Sequence, residues 1–215
     1  MDVRTRPCPG AGGRRTPRTR GIGVPGRGRP CEGVPVSERT DQSWEDRVAA
    51  AWAAFGTCGE ERAAKFRAVI DALAGELPPD HPLGLFERAC AQDSTGRPEQ
   101  AVALYRRALD QGLSDVSGYR GRRAKIQLAS SLRNVGRPQE GVELLTPELD
   151  APSDELDDAV RATLALCLSS LGRDREGLSL VLGALAGHLP RYQRSMANYA
   201  RLLVEPEPAG RPAAR

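Results

Sequence analysis

The side chains best suited to nucleophilic or metal chemistry in this chain are five cysteines and two histidines, and their spacing gives them neither role. Cys8, Cys31, Cys58, Cys90 and Cys167 include no Cys-x-x-Cys pair, their number is odd, and two fall in the first 36 residues. A zinc site or disulfide framework needs paired spacings, so the pattern reads as free thiols in a reducing cytoplasm. His81 and His188 stand near prolines in apparent loops and do not make a metal site by themselves. The run Ser-Asp-Glu-Leu-Asp-Asp at 153–158 brings carboxylates together. Acids beside a serine at a helix start are, however, the ordinary device for capping and for complementing the helix dipole. Nothing has the spacing of a Gly-rich phosphate loop or a Ser/His/Asp arrangement. Cys90, Cys167 and Tyr105 read as packing residues. The expectation is a chain that is not an enzyme, with no catalytic residue, no cofactor and no metal.

The charge is unevenly spread. The whole chain carries a formal +3. Residues 1–36 hold eight Arg against Asp2 and Glu32, which leaves the remainder at about −3. Nucleic acid is therefore not expected as a partner of the folded part. The first 36 residues also hold eight Gly and six Pro, too little apolar surface to offset ordering, so residues 1–40 are expected to be disordered. Three origins fit that stretch: a nucleic-acid-binding arm, a linker, or translated upstream sequence of a G+C-rich gene with the true start at Val34 or Val36. Arg14-Arg15 is followed by no apolar core, so it is not read as an export signal. No run approaches the ~18 apolar residues of a membrane span.

The positioning elements are helical. Trp44, Val48, Trp52 and Phe55 recur at i, i+4, i+8 and i+11, on one helical face starting near Ser43, which with Asp46 resembles a capping box. Gly56 and Gly59 break that helix, and Glu60-Glu61 open a second one carrying Phe66, Val69, Ile70 and Leu73. Residues 41–78 thus read as an αα-hairpin, stopped by the prolines of "PPDHP" at 78–82.

Beyond it the chain repeats itself. "GRPEQAVALYRRAL" at 96–109 is answered by "GRPQEGVELLTPEL" at 136–149. Aligning Gly96, Gly136 and Gly172 puts Ala89, Ala129 and Ala165 at one earlier position and Ala101, Gly141 and Gly177 at one later position. Further on come Tyr105, Leu145 and Val181, then Leu109, Leu149 and Leu185. Small residues let two helix axes approach; the larger ones fill the gap to the next hairpin. Hairpins apolar on more than one face must stack on neighbours. The units run over about 82–115, 122–155 and 158–190, with extra residues in "SDVSGYRG" at 114–121. A capping helix at 191–204 carries Tyr192, Met196, Tyr199 and Leu203 on one stripe, and 205–215 is expected to be a disordered tail.

The pattern Ala89, Ala101, Tyr105, Ala108 resembles the small-small-large-small signature of the tetratricopeptide repeat, without the signature Trp, whose place Leu85, Lys125 and Arg161 take. "IQLASSLRNVGR", "DHP" and "LPRYQRS" resemble a bacterial subgroup of small stand-alone proteins of that family. The resemblance implies an all-α, right-handed α-solenoid, and a partner-binding groove lined by the first helix of each hairpin. In its register the middle unit presents Arg123, Ile126, Gln127, Ser130, Arg133 and Asn134; the cap adds Arg194 and Asn198 if Ala200 aligns with Ala165. The first unit gives Leu83, Phe86, Glu87, Cys90, Asp93 and Ser94. The third gives Ala159, Ala162, Thr163, Leu166, Ser169 and Ser170. The family's chaperone-tail clamp needs Lys and Asn where Phe86 and Cys90 stand, so that activity is not implied. What is implied is a non-catalytic module binding a protein or peptide partner. The alternatives are a homodimer built on Trp44 and Trp52, and nucleic-acid binding through the Arg-rich arm.

Overall fold

The computed structural model describes residues 36–56 and 60–205, with side chains from Trp44 onward. Residues 1–35 and 206–215, including Cys8 and Cys31 and most of the segments expected to be disordered, lie outside the described residues, as do Cys58 and Gly59. Among the described residues there are ten α-helices and no strand. No helix among them is long and apolar enough to cross a membrane.

The first helix, α1, spans Val36–Ala54 and begins well before Ser43, inside the stretch expected to lack order. The Gly/Pro punctuation ends at Pro35, and the polar run after it holds no helix breaker, so the helix extends through Ser43 rather than being capped there. A second helix, α2 (Glu60–Ala74), opens on Glu60 and Glu61 and packs Phe66 and Ile70 inward. Trp52, Phe55 and Phe66 meet there, with ring centroids 4.2 to 6.0 Å apart.

Three hairpins follow: α3 (Pro82–Ser94) with α4 (Pro98–Asp110), α6 (Gly118–Asn134) with α7 (Pro138–Leu145), and α8 (Asp157–Ser170) with α9 (Asp174–Ala186). Their turns superpose in detail. Gly96, Gly136 and Gly172 have φ of 77°, 78° and 76°. In each, the residue after the glycine donates its N–H five residues back: Arg97 to Gln92, Arg137 to Leu132 and Arg173 to Leu168, at 2.8–3.0 Å. This closing pattern demands a left-handed residue, which is why the glycines recur. Proline opens α4 and α7, where its missing N–H would be unpaired anyway.

The small residues lie where the repeat reading places them. Ala89, Ala129 and Ala165 are buried in the three first helices, and Ala101, Gly141 and Gly177 are buried in the second helices. A Cβ on Gly141 would sit 2.8 Å from Cys167 Sγ and 3.2 Å from the Ala129 carbonyl; one on Gly177 would sit 2.9 Å from the Ala165 carbonyl. The axes approach too closely there for any side chain.

Four expectations need correction. The extra residues at 114–121 are helical except for the cap Ser117: α5 (Leu113–Val116) buries Leu113 completely, and α6 starts at Gly118 rather than at 122. The second helix of the middle hairpin stops at Leu145, because Pro147 cannot continue it; residues Thr146–Leu149 form a 3-10 turn instead. Tyr105 and Leu145 are fully buried, but Val181 at the matching position is 41% exposed and Leu185 44%, since no complete hairpin follows α9 to cover them. The last helix, α10 (Gln193–Leu202), packs on α9 through Ala200, with Met196 and Leu203 half-buried beside it. Tyr192 and Tyr199, expected on its inner stripe, are 73% and 59% exposed.

Candidate partner-binding face

The first helices α3, α6 and α8 stand side by side, joined by contacts at nearly constant sequence separation. The Arg123 guanidinium lies 5.5 Å from the centre of the Phe86 ring. The Cys90 thiol points at Gln127 Oε1 at 3.5 Å, across 37 residues. Ser131 Oγ donates to Asp93 at 2.9 Å, across 38. On the other flank of α6, Arg133 Nε donates to Ser170 Oγ at 3.0 Å across 37 residues, and Cys167 Sγ faces the Ala129 carbonyl across 38. Positions one to three residues apart in the repeat register touch from each hairpin to the next, as stacking of like units requires.

A model of the tetratrico peptide repeat family matches residues 82–203. The chain belongs to the tetratricopeptide-repeat family. No curated protein and no solved structure matches it. The tetratricopeptide repeats are in general protein–protein interaction modules and typically act as non-catalytic scaffolds, and the matched span covers α3 to α10.

Within this tetratricopeptide-repeat array the middle unit supplies the polar surface. Arg123, Gln127 and Ser130 are half-buried along α6, with Arg133 half-buried and Asn134 exposed one turn beyond. Arg133 also donates to Asn134 Oδ1 at 3.4 Å. Arg194 and Asn198 are not brought to this row. They sit on α10, whose packing partner is α9, and Asn198 Oδ1 accepts from Arg201 at 2.8 Å within its own helix. Ser179 Oγ donates to the Ala200 carbonyl at 2.7 Å and holds α10 against α9.

The first unit is roofed rather than open. Phe86, Glu87 and Cys90, expected to point into the groove, are buried. Trp52 of α1 packs on this cluster and its Nε1 donates to Glu87 Oε2 at 2.7 Å, while Arg123 and Gln127 of α6 lie against Phe86 and Cys90. The third unit is open, with Ala159, Ala162, Leu166, Ser169 and Ser170 exposed and Thr163 half-buried. The face thus runs from a covered, charged end at α1 through the Arg and amide stretch of α6 to an uncovered apolar end at Leu166.

At the covered end a cavity of about 640 Å³ is lined by Glu45, Val48, Trp52, Glu87, Arg120 and Arg123. Arg120 pairs with Glu45 across it. Sequence reasoning missed Glu45, Trp52 and Arg120 as part of this face. Trp52 was assigned to a core stripe by its period, and its indole N–H, which needs a partner when buried, was the available signal. Burial pushes the Glu87 carboxyl above the usual range, opposed by the Trp52 bond and by the charges of Arg120 and Arg123. Asp93 is raised by burial too, against the Ser131 bond.

The thiols behave as packing groups. Burial pushes Cys90 up to about 12 and raises Cys167 as well, so neither is a thiolate at neutral pH. Among the described residues no three His, Cys, Asp or Glu side chains are grouped to hold a metal ion. His188 is bonded to Asp158 at 2.8 Å, tying the loop after α9 to the start of α8.

Proposed function

We propose that this chain is a non-catalytic docking module that holds a polypeptide partner across α6, with Arg123, Gln127, Ser130, Arg133 and Asn134 as its contacts. The observation that carries the reading is the side-by-side row of first helices with half-buried donors at its centre. Guanidinium and amide groups there offer N–H donors to a peptide backbone or a carboxylate, and the exposed Ala162 and Leu166 on α8 offer apolar contact beside them. The free thiols of Cys90 and Cys167 suit a reducing, cytoplasmic location.

The self-association alternative loses the residues that suggested it. Trp44 is 4% exposed with its Nε1 donating to the Leu73 carbonyl at 2.8 Å, and Trp52 is bound to Glu87, so both tryptophans serve this chain's own packing. The Arg-rich arm lies outside the described residues.

Crosslinking pull-downs that compare the wild type with Arg123→Ala/Asn134→Ala test the proposal. The double variant, with a circular dichroism melt matching the wild type, is expected to recover its specific partners at least about tenfold less well, the effect of losing ~1.4 kcal/mol at a contact centre. An unchanged partner list rejects this face.

A further inference from the structure

Resting on that reading, we infer that the occupant of the α6 face is an acidic, extended polypeptide segment whose carboxylates are spaced to meet Arg123 and Arg133. Arginine pairing elsewhere in the fold makes these two stand apart. Twelve arginines among the described residues form an ion pair with a carboxylate, including Arg106 with Glu140, Arg120 with Glu45 and Arg122 with three acids. Arg123 and Arg133 do not. One lies over the Phe86 ring, the other donates only to the neutral oxygens of Ser170 and Asn134. Glu87 acts on Arg123 only through space, beyond ion-pair distance, and is itself taken by Trp52. Arg175, Arg191 and Arg194 also lack a carboxylate but are exposed at the far end of the array, where water solvates them.

Arg123 and Arg133 are both half-buried. A guanidinium held by aromatic and neutral contacts keeps its charge and part of its donor set for an incoming anion, and a carboxylate is its best two-pronged partner. Their ten-residue separation spans ~15 Å of helix. An extended chain rises ~3.3 Å per residue, so carboxylates about five residues apart reach both. Gln127 and Ser130 lie between, suited to the backbone of the same segment.

A polypeptide fits better than nucleic acid. Nucleic acid presents a closely spaced row of phosphates, whereas Arg123 and Arg133 are ten residues apart along α6. Two separated cations match separated anions.

Fluorescence anisotropy of labelled nine-residue peptides titrated with the full chain tests this. One peptide carries two Glu five residues apart in a Gly/Ser background; the others replace Glu with Gln or Lys. The Glu peptide is expected to bind at least about tenfold more tightly than the Gln peptide, and to weaken as salt is raised. Arg123→Glu/Arg133→Glu should lose the Glu peptide and gain the Lys peptide, a reversal that a misfolded variant does not show. The inference is overturned if Gln and Glu peptides bind alike, if neither binds, if charge reversal leaves Glu binding unchanged, or if a single-stranded oligonucleotide competes as strongly as the Glu peptide. Equal binding of Gln and Glu peptides, both weakened by Arg123→Ala/Asn134→Ala, would leave the docking face standing and remove only its preference for acids.

Discussion

Arg122→Met is expected to lower the unfolding free energy by about 3 kcal/mol, read as an earlier midpoint in urea. The Arg122 side chain is 8% exposed, on the side of α6 that faces the next hairpin. Its Nη2 donates to the Glu148 carbonyl at 3.1 Å, and the guanidinium pairs with Glu148 at 3.4 Å, with Asp157 at 2.9 Å and with Asp154. Those partners come from the 3-10 turn, the following loop and the first turn of α8. One cation thus ties α6 to the segment that Pro147 prevented from becoming regular helix. Removing it leaves Glu148 largely buried with Lys125, 2.5 Å away, as its remaining ion-pair partner. Breaking such a buried cluster costs about 3–5 kcal/mol, and Lys125 keeps the loss near the lower end. Arg122→Met/Glu148→Leu should recover at least half of it, because apolar replacement of both partners removes the uncompensated charge. The deficit also depends on acidity. The Ser153 hydroxyl and then Arg122 hold the Asp157 carboxyl down to about 2, from an ordinary 3.8. A depressed carboxylate contributes stability that is present above the ordinary value and lost as pH falls through the folded one. The gap between wild type and Arg122→Met should therefore narrow between about pH 4 and pH 2. A gap below 1 kcal/mol at neutral pH would show the cluster to be an ordinary surface network.

The second large effect separates glycines that keep helices close from glycines that merely interrupt them. Glycine in a helix interior costs about 1 kcal/mol relative to alanine, so a replacement is stabilising unless space forbids it. Gly183 has open space around its missing Cβ, and Gly183→Ala should raise stability by about 0.5–1 kcal/mol. Gly141 has none: its Cβ would press on the buried Cys167 Sγ and on the Ala129 backbone. Overpacking of this kind costs about 1–3 kcal/mol and exceeds the propensity gain, so Gly141→Leu should lose about 2 kcal/mol or more. The same contact joins the middle hairpin to the third, so the variant should also loosen α8 against α6, seen as faster amide exchange there. Equal effects at Gly141 and Gly183 would refute close approach as the reason for the small residues.

Much of the array was legible because each hairpin obeys the same local chemistry. A glycine at φ near +77°, an arginine directly after it and an alanine seven residues earlier are short-range demands that one sequence shows by repeating them. What was not legible depends on neighbours. Val181 and Tyr105 occupy the same register position, yet one is 41% exposed and the other buried, because burial depends on whether a further hairpin follows. Phe86, Glu87 and Cys90 share a register with the exposed Ala162 and Leu166, but only the first set is packed against Trp52 of α1 and the long side chains of α6. Register predicts which side chains form a row, whereas the ends of the stack decide which part of that row meets solvent. The early start of α1 was hidden for another reason: its first two turns are polar, so no apolar period marks them.

The central claim is that partners dock on the row of first helices and not on the second helices. Photocrosslinking from a benzoylphenylalanine placed singly at Asn134 on α6 or at Glu143 on α7, both exposed, separates the two. The account predicts that Asn134 captures the specific partner, that this is abolished by Arg123→Glu/Arg133→Glu, and that Glu143 captures none. Capture from Glu143 with none from Asn134 would contradict it.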